Sequence, residues 1–155
     1  MLTTSQIEAR LRGTPHFIGV FPCDRLPQKI NKYPATLIVN TDGASEPGEH
    51  WVAILLMAGR RAEFFCPFGF PPLVPELQQF LGRHASAGLT YNQCTMQDIN
   101  STLCGDYCIC FVRCVARGQQ LRQFVTRFRN QALGGNSNER LLCPQEVSRC
   151  RDIEQ

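Results

Sequence analysis

Apolar residues along the chain fall into two kinds of run, and these predict the elements. Leu2, Ile7 and Leu11 are spaced through polar sequence, with Ser5 ahead of Glu8, and predict a short N-terminal helix that stops at Gly13 and Pro15. "HFIGVFPCDRLP" starts as a buried strand and breaks at Pro22, whereas "ATLIVNT" from Ala35 is richer in β-branched residues and reads as a fuller strand. "DGASEPGEH" is a loop. "HWVAILLMAG" and "RAEFFCPFGF" are continuous apolar runs on either side of Gly59-Arg60-Arg61, the pattern of a hairpin joining two central strands. After the "FPPLVP" break, Leu77, Phe80 and Leu81 recur at helical spacing, and "LTYNQCTMQ" reads as one more strand.

From Cys104 to about Arg117 the sequence is apolar on nearly every side, as in a central buried helix. Leu121, Phe124, Val125 and Phe128 then form one stripe, with Arg122 and Arg129 off it, which predicts an amphipathic helix. The tail from Gly134 is polar and loop-like, with a short last helix at most. The expected fold is α+β: a central mixed β-sheet packed against the buried helix, with flanking helices, in a single domain over residues 1–155.

Composition narrows the picture. A chain of 155 residues with 43% hydrophobic and 19% charged residues belongs with globular domains. It is long enough to bury roughly two-thirds of its unfolded surface. No apolar run approaches the ~18 residues of a membrane span, and "MLTTSQIEARLRG" lacks the basic-then-apolar layout of a secretory signal. We therefore expect a soluble, unexported protein. Nine cysteines, an odd number clustered in one apolar segment, then imply reduced thiols and a reducing compartment, cytosol or nucleus. Asn100-Ser101-Thr102 matches a glycosylation acceptor by chance. The formal charge of +3 is almost wholly arginine, Lys29 and Lys32 being the only lysines. That permits contact with nucleic acid, and equally describes a solvated basic face.

The stretch "QDINSTLCGDYCIC" carries the candidate chemistry. At about 100° per residue, Cys104 and Cys108 share one helix face while Cys110 and Cys114 share another. They cannot converge on zinc, and Cys143 and Cys150 are too far apart in sequence to form a knuckle. Cys108, Cys110 and Cys114 read as small core residues. Cys104 stands where the polar run meets the helix, beside Gly105. Unpaired amides and the positive end of the helix dipole there favour a thiolate, as a nucleophile requires. Such a nucleophile needs an imidazole. His16 and His84 read as solvated, whereas His50, at a loop-to-strand junction directly before Trp51, suits a base on a rigid element.

Taken in order, "EHWVAIL", "FFCPFGF" and "QDINSTLCGDYC" resemble the adenain-type cysteine proteases of adenoviruses and virus-like transposons, within the wider group of SUMO-protease-like enzymes. The resemblance spans roughly residues 15–117. It implies His50 as general base, Cys104 as nucleophile and Gln97 as an oxyanion donor alongside the Cys104 amide. It also implies a narrow groove for Gly-Gly-type residues, bordered by Trp51 and Gly105. Cys66 stands where that family has a carboxylate. A thiol is a weaker acceptor, so the resemblance leaves open a Cys–His dyad, a substitute such as Asp98 or Glu49, or a weakened enzyme. Glu63 is excluded as the substitute, because three positions along a strand put it on the opposite face.

By the same resemblance, the expected function is a viral or virus-like cysteine endopeptidase acting on precursor proteins, with no cofactor and no metal. A ubiquitin- or SUMO-like deconjugase and a non-catalytic binding module are the alternatives. The partner is a polypeptide, a capsid or precursor protein or a ubiquitin-like conjugate. The resemblance further allows an activating peptide, and DNA contacted through Arg60, Arg61, Arg122, Arg127 and Arg129, which serve equally as plain surface. It points to host cytoplasm, nucleus or virion as the location. "LGG" at 133–135 reads as a linker or as a self-processing site.

Overall fold

The computed structural model describes residues 1–97 and 100–134 of the chain. Helix α1 (Thr4–Leu11) leads into strand β1 (Phe17–Pro22) and a single 3-10 turn at Cys23–Arg25. Strands β2 (Ala35–Asn40), β3 (Trp51–Met57) and β4 (Arg61–Phe65) follow, then helix α2 (Pro75–His84), strand β5 (Gly88–Tyr91), and helices α3 (Cys104–Ala116) and α4 (Leu121–Gly134). The five strands lie in sequence order in one mixed sheet: β2, β3 and β4 pair antiparallel, and each outer strand joins its neighbour parallel. The fold is α+β with flanking helices.

The central strands carry apolar residues on both faces because both faces are covered. Leu37, Val39, Val52, Ile54, Leu56 and Phe64 pack toward Leu77, Phe80 and Leu81 of α2. Ile38, Ala53, Leu55 and Phe65 pack toward α1, α3 and α4. Phe65 stacks on Phe111 of α3 at 5.2 Å and meets Phe124 of α4 edge-on at 5.2 Å. Tyr107, Cys108, Ile109, Cys110, Phe111 and Cys114 are all buried, so α3 has scarcely a solvent face. Among the described residues no helix is long and apolar enough to cross a membrane.

Several expectations change in detail. The first helix is capped by Thr3, whose hydroxyl accepts from the Gln6 amide at 3.2 Å while the Gln6 side chain accepts from the Thr3 amide at 2.9 Å. This capping box is offset from the Ser5/Glu8 pair. Replacing Thr3 with alanine should lower stability by about 1 kcal/mol, read as a shift in the urea midpoint. The strand expected over "LTYNQCTMQ" ends at Tyr91, since Asn92 leaves the ladder to bond the backbone of Cys66. Leu133 and Gly134 close helix α4, so they are helical where a linker was one reading. Gly135, Asp98, Cys143, Cys150 and the rest of the tail lie outside the described residues.

Glu63 points away from Cys66, as strand alternation requires. Its carboxylate accepts from the Leu121 amide at 2.9 Å at the start of α4. Burial pushes its pKa up, partly offset by that hydrogen bond.

Candidate active site

Three segments meet at the end of the sheet where β3 begins. His50 precedes β3, Cys66 follows β4, and Cys104 opens α3, which lies against β3. Antiparallel pairing of β3 with β4 matches Ala53 to Phe65; continued past the strand ends, that register sets residue 50 opposite 68 and makes 66 its diagonal neighbour. The His50 Nε2 lies 3.4 Å from the Cys66 sulfur. The imidazole also stacks on Phe68 at 4.6 Å, which holds the ring plane. That leaves Nδ1 as the ring nitrogen not engaged with Cys66.

Cys66 is held more firmly than its sequence context suggested. Its amide donates to Asn92 Oδ1 at 2.9 Å, and its carbonyl accepts from Asn92 Nδ2 at 2.6 Å. Asn92, 4% exposed, also donates to the Cys94 carbonyl at 3.2 Å. One buried side-chain amide thus extends the β4–β5 pairing by a step and fixes Cys66 beneath the histidine. Sequence reading missed Asn92; a buried polar residue directly after the short strand β5 leaves no pattern that would single it out. Burial pushes the Cys66 thiol up, while the Phe70, Phe68 and Gly69 amides directed at the sulfur pull it down. The balance is upward, so burial keeps the Cys66 thiol protonated despite these amides.

Cys104 is 3% exposed. Burial raises its pKa, opposed by the amides of Trp51, Gly105 and Cys104 itself. Its sulfur lies 3.8 Å from the Met1 sulfur. Trp51 Nε1 donates to the Leu2 carbonyl at 3.0 Å. Gly105 lies close under its neighbours: a β-carbon there would stand 3.3 Å from both the Leu2 side chain and Trp51 Cδ1, tight enough that they would have to give by a few tenths of an ångström. A cleft of about 460 Å³ adjoins this corner, lined by residues 1–4, Trp51 and the loop from Asp42 to Gly48.

Gln97 is 2% exposed and its amide is engaged: Nε2 donates to the Ser101 carbonyl at 2.7 Å. Its Oε1 is buried without a hydrogen-bond partner. The side chain therefore braces the segment entering α3, with one N–H left over. Glu49 is exposed, and it is Cys66 rather than Glu49 that meets the His50 ring. His16 is exposed; His84 leans on Phe80 at 4.6 Å, far along the chain's other layer. Among the described residues no three histidine, cysteine or acidic side chains converge as metal ligands, and none of the seven described cysteines is in a disulfide.

Burial pulls His50 down from the ordinary 6.5 to about 4. Below pH 6.5 the unfolded chain therefore takes up a proton that the folded imidazole refuses. Stability should fall as pH drops from about 6.5 toward 4 and level off below that. Urea midpoints at pH 7 and 4.5 check this, and His50→Gln should show a shallower decline than the parent.

No protein-family model matches the chain, and no curated protein is similar to it. Among solved structures, the chain is similar to the central domain of an uncharacterized Legionella pneumophila protein. The two are 11% identical over 98% of each chain, with a TM-score of 0.52, a likeness of fold alone. It is also similar to an ASFV protease at 24% identity with a TM-score of 0.44, covering 59% of this chain and 38% of that one.

Proposed function

We propose that the chain is a cysteine endopeptidase of the SUMO-protease-like group, with Cys104 as nucleophile and His50 as base. The observation that carries this reading is the corner itself. A thiol at the N-terminus of a buried helix receives the amides of Trp51, Gly105 and its own residue and interacts with Cys66, whose sulfur lies 3.4 Å from the imidazole that Phe68 stacks on. With His50 near 4, the resting pair is neutral thiol and neutral imidazole. Proton transfer then accompanies attack: Nε2–H faces Cys66, Nδ1 takes the Cys104 proton, and sulfur adds to the peptide carbonyl. The imidazolium returns the proton to the departing amine, leaving a thioester that water, activated by His50, hydrolyses.

Trp51 and the bare face of Gly105 border the path of the substrate chain, which suits small Gly-Gly-type residues before the cut. Substrates would be viral or virus-like precursor proteins, and an activating peptide or DNA remains part of the adenain-type version of this reading. A non-catalytic module is the second reading, favoured by the burial that raises the Cys104 thiol and by the thiol at position 66.

The test is covalent capture. Reduced protein incubated with a peptide ending in Leu-x-Gly-Gly and carrying a thiol-reactive C-terminal warhead should gain one adduct, mapped to Cys104 by mass spectrometry. Adducts spread over other cysteines, or none, would sink the peptidase and leave the module. Cys66→Asp should raise kcat/KM on a matching fluorogenic peptide by about tenfold. A carboxylate in the socket of three amides would hold the imidazolium, and the acid limb of the pH profile should move to higher pH as the His50 pKa rises.

A further inference from the structure

The atom that must attack is covered. Cys104 is 3% exposed, and what lies on its sulfur is Met1, itself 54% exposed and free on its outer side. The next residue spans the same corner: the Leu2 carbonyl takes the Trp51 indole N–H, and the Leu2 side chain rests on Gly105. Residues 1–4 also form one wall of the cleft that reaches Trp51.

We propose that residues 1–3 form a displaceable strap, seated in the cleft beside Cys104, that keeps the thiol covered until a polypeptide pushes it aside. This rests on Cys104 being the nucleophile. The strap is laid down by the nucleophile's own helix. Helix α1 docks through Ile7 and Leu11, both fully buried, and Arg10 pairs with Asp106 in the first turn of α3 at 2.8 Å. The Arg113 guanidinium donates to the Arg10 carbonyl at 2.7 Å, and Thr3 caps α1. With α1 tied to α3 and its start fixed at Thr3, the two preceding residues are directed over the N-terminus of α3. Their hold is light by comparison: one indole hydrogen bond, one sulfur contact and one leucine face. Those contacts engage groups a substrate backbone would use, Trp51 Nε1 and the surface of Gly105, so strap and substrate compete.

Leu2→Asp tests this, because a carboxylate in a cleft lined by Asp42 and Glu46 is repelled into water. Iodoacetamide labelling of the full chain, mapped residue by residue, should quicken at Cys104 by at least about tenfold while Cys108, Cys110 and Cys114 keep their slow rates. An unchanged Cys104 rate would overturn the strap. Should every buried thiol quicken together, the milder Leu2→Gly decides: a gain confined to Cys104 upholds the strap, and a general gain shows that the segment only braces the fold. Peptide hydrolysis measured alongside separates the two claims. Faster labelling with no hydrolysis in any form keeps the strap and removes the peptidase, whereas hydrolysis with unchanged labelling does the reverse.

Discussion

Cys104→Ala is expected to abolish peptide hydrolysis, a loss on the order of 10⁴-fold or more in kcat, with the fold retained. Without the sulfur no thioester forms, and neither the amides of Trp51 and Gly105 nor His50 can replace the nucleophile. The structural cost is small: one buried sulfur is removed where Met1 and Leu2 can settle inward, about 1 kcal/mol. Stopped assays on a fluorogenic Leu-x-Gly-Gly peptide, with urea midpoints beside them, separate the two effects. Residual turnover within tenfold of the parent would mean that another residue does the chemistry.

The second large effect falls on Gln97→Ala, expected to lower kcat by about 10²–10³ with little change in KM, as for loss of one oxyanion donor. The structure makes this more than a donor count. Nε2 already donates to the Ser101 carbonyl, and Oε1 is buried without a partner, so the amide ties Gln97 to Ser101 ahead of α3 and has one further N–H, which the proposed reading assigns to an incoming oxygen. A purely structural role would loosen the entry to α3 and quicken alkylation of Cys104. A donor role lowers kcat and leaves alkylation alone. Equal falls in activity and rises in labelling would therefore remove Gln97 from the chemistry.

Much of this architecture was legible because it follows from local rules. The strands around Gly59-Arg60-Arg61 announce themselves by apolar runs flanking a turn, and α3 by a segment too apolar to face water. That position 66 stands near His50 was implied by the family resemblance, whereas the hairpin register itself sets residue 50 opposite 68. What escaped is non-local. Nothing in periodicity says that the edge strands β1 and β5 join the sheet parallel, since alternation along a strand reads alike in either direction. Leu2 looked like one more position on the apolar face of a helix, whereas helix α1 begins after it and the residue crosses to Gly105. Asn92 and Gln97 are polar residues whose partners are backbone groups, and such bonds leave no pattern in the side-chain sequence. Cys66 was recognised as a departure, but its ring of amides from Phe68, Gly69 and Phe70 belongs to the shape of a loop.

The aromatic packing behind α3 has a mechanical consequence. Phe65, Phe111, Phe124 and Phe128 touch one another in a chain of ring contacts between 4.6 and 5.5 Å that spans β4, α3 and α4. Interiors packed this tightly hardly compress. Helix α3 is thus backed against a stiff wall and cannot retreat to make room. On the proposed reading, any travel needed to admit a polypeptide is supplied from the front, by the first three residues and the 42–48 loop, so the yielding parts and the fixed parts lie on opposite sides of one sulfur atom.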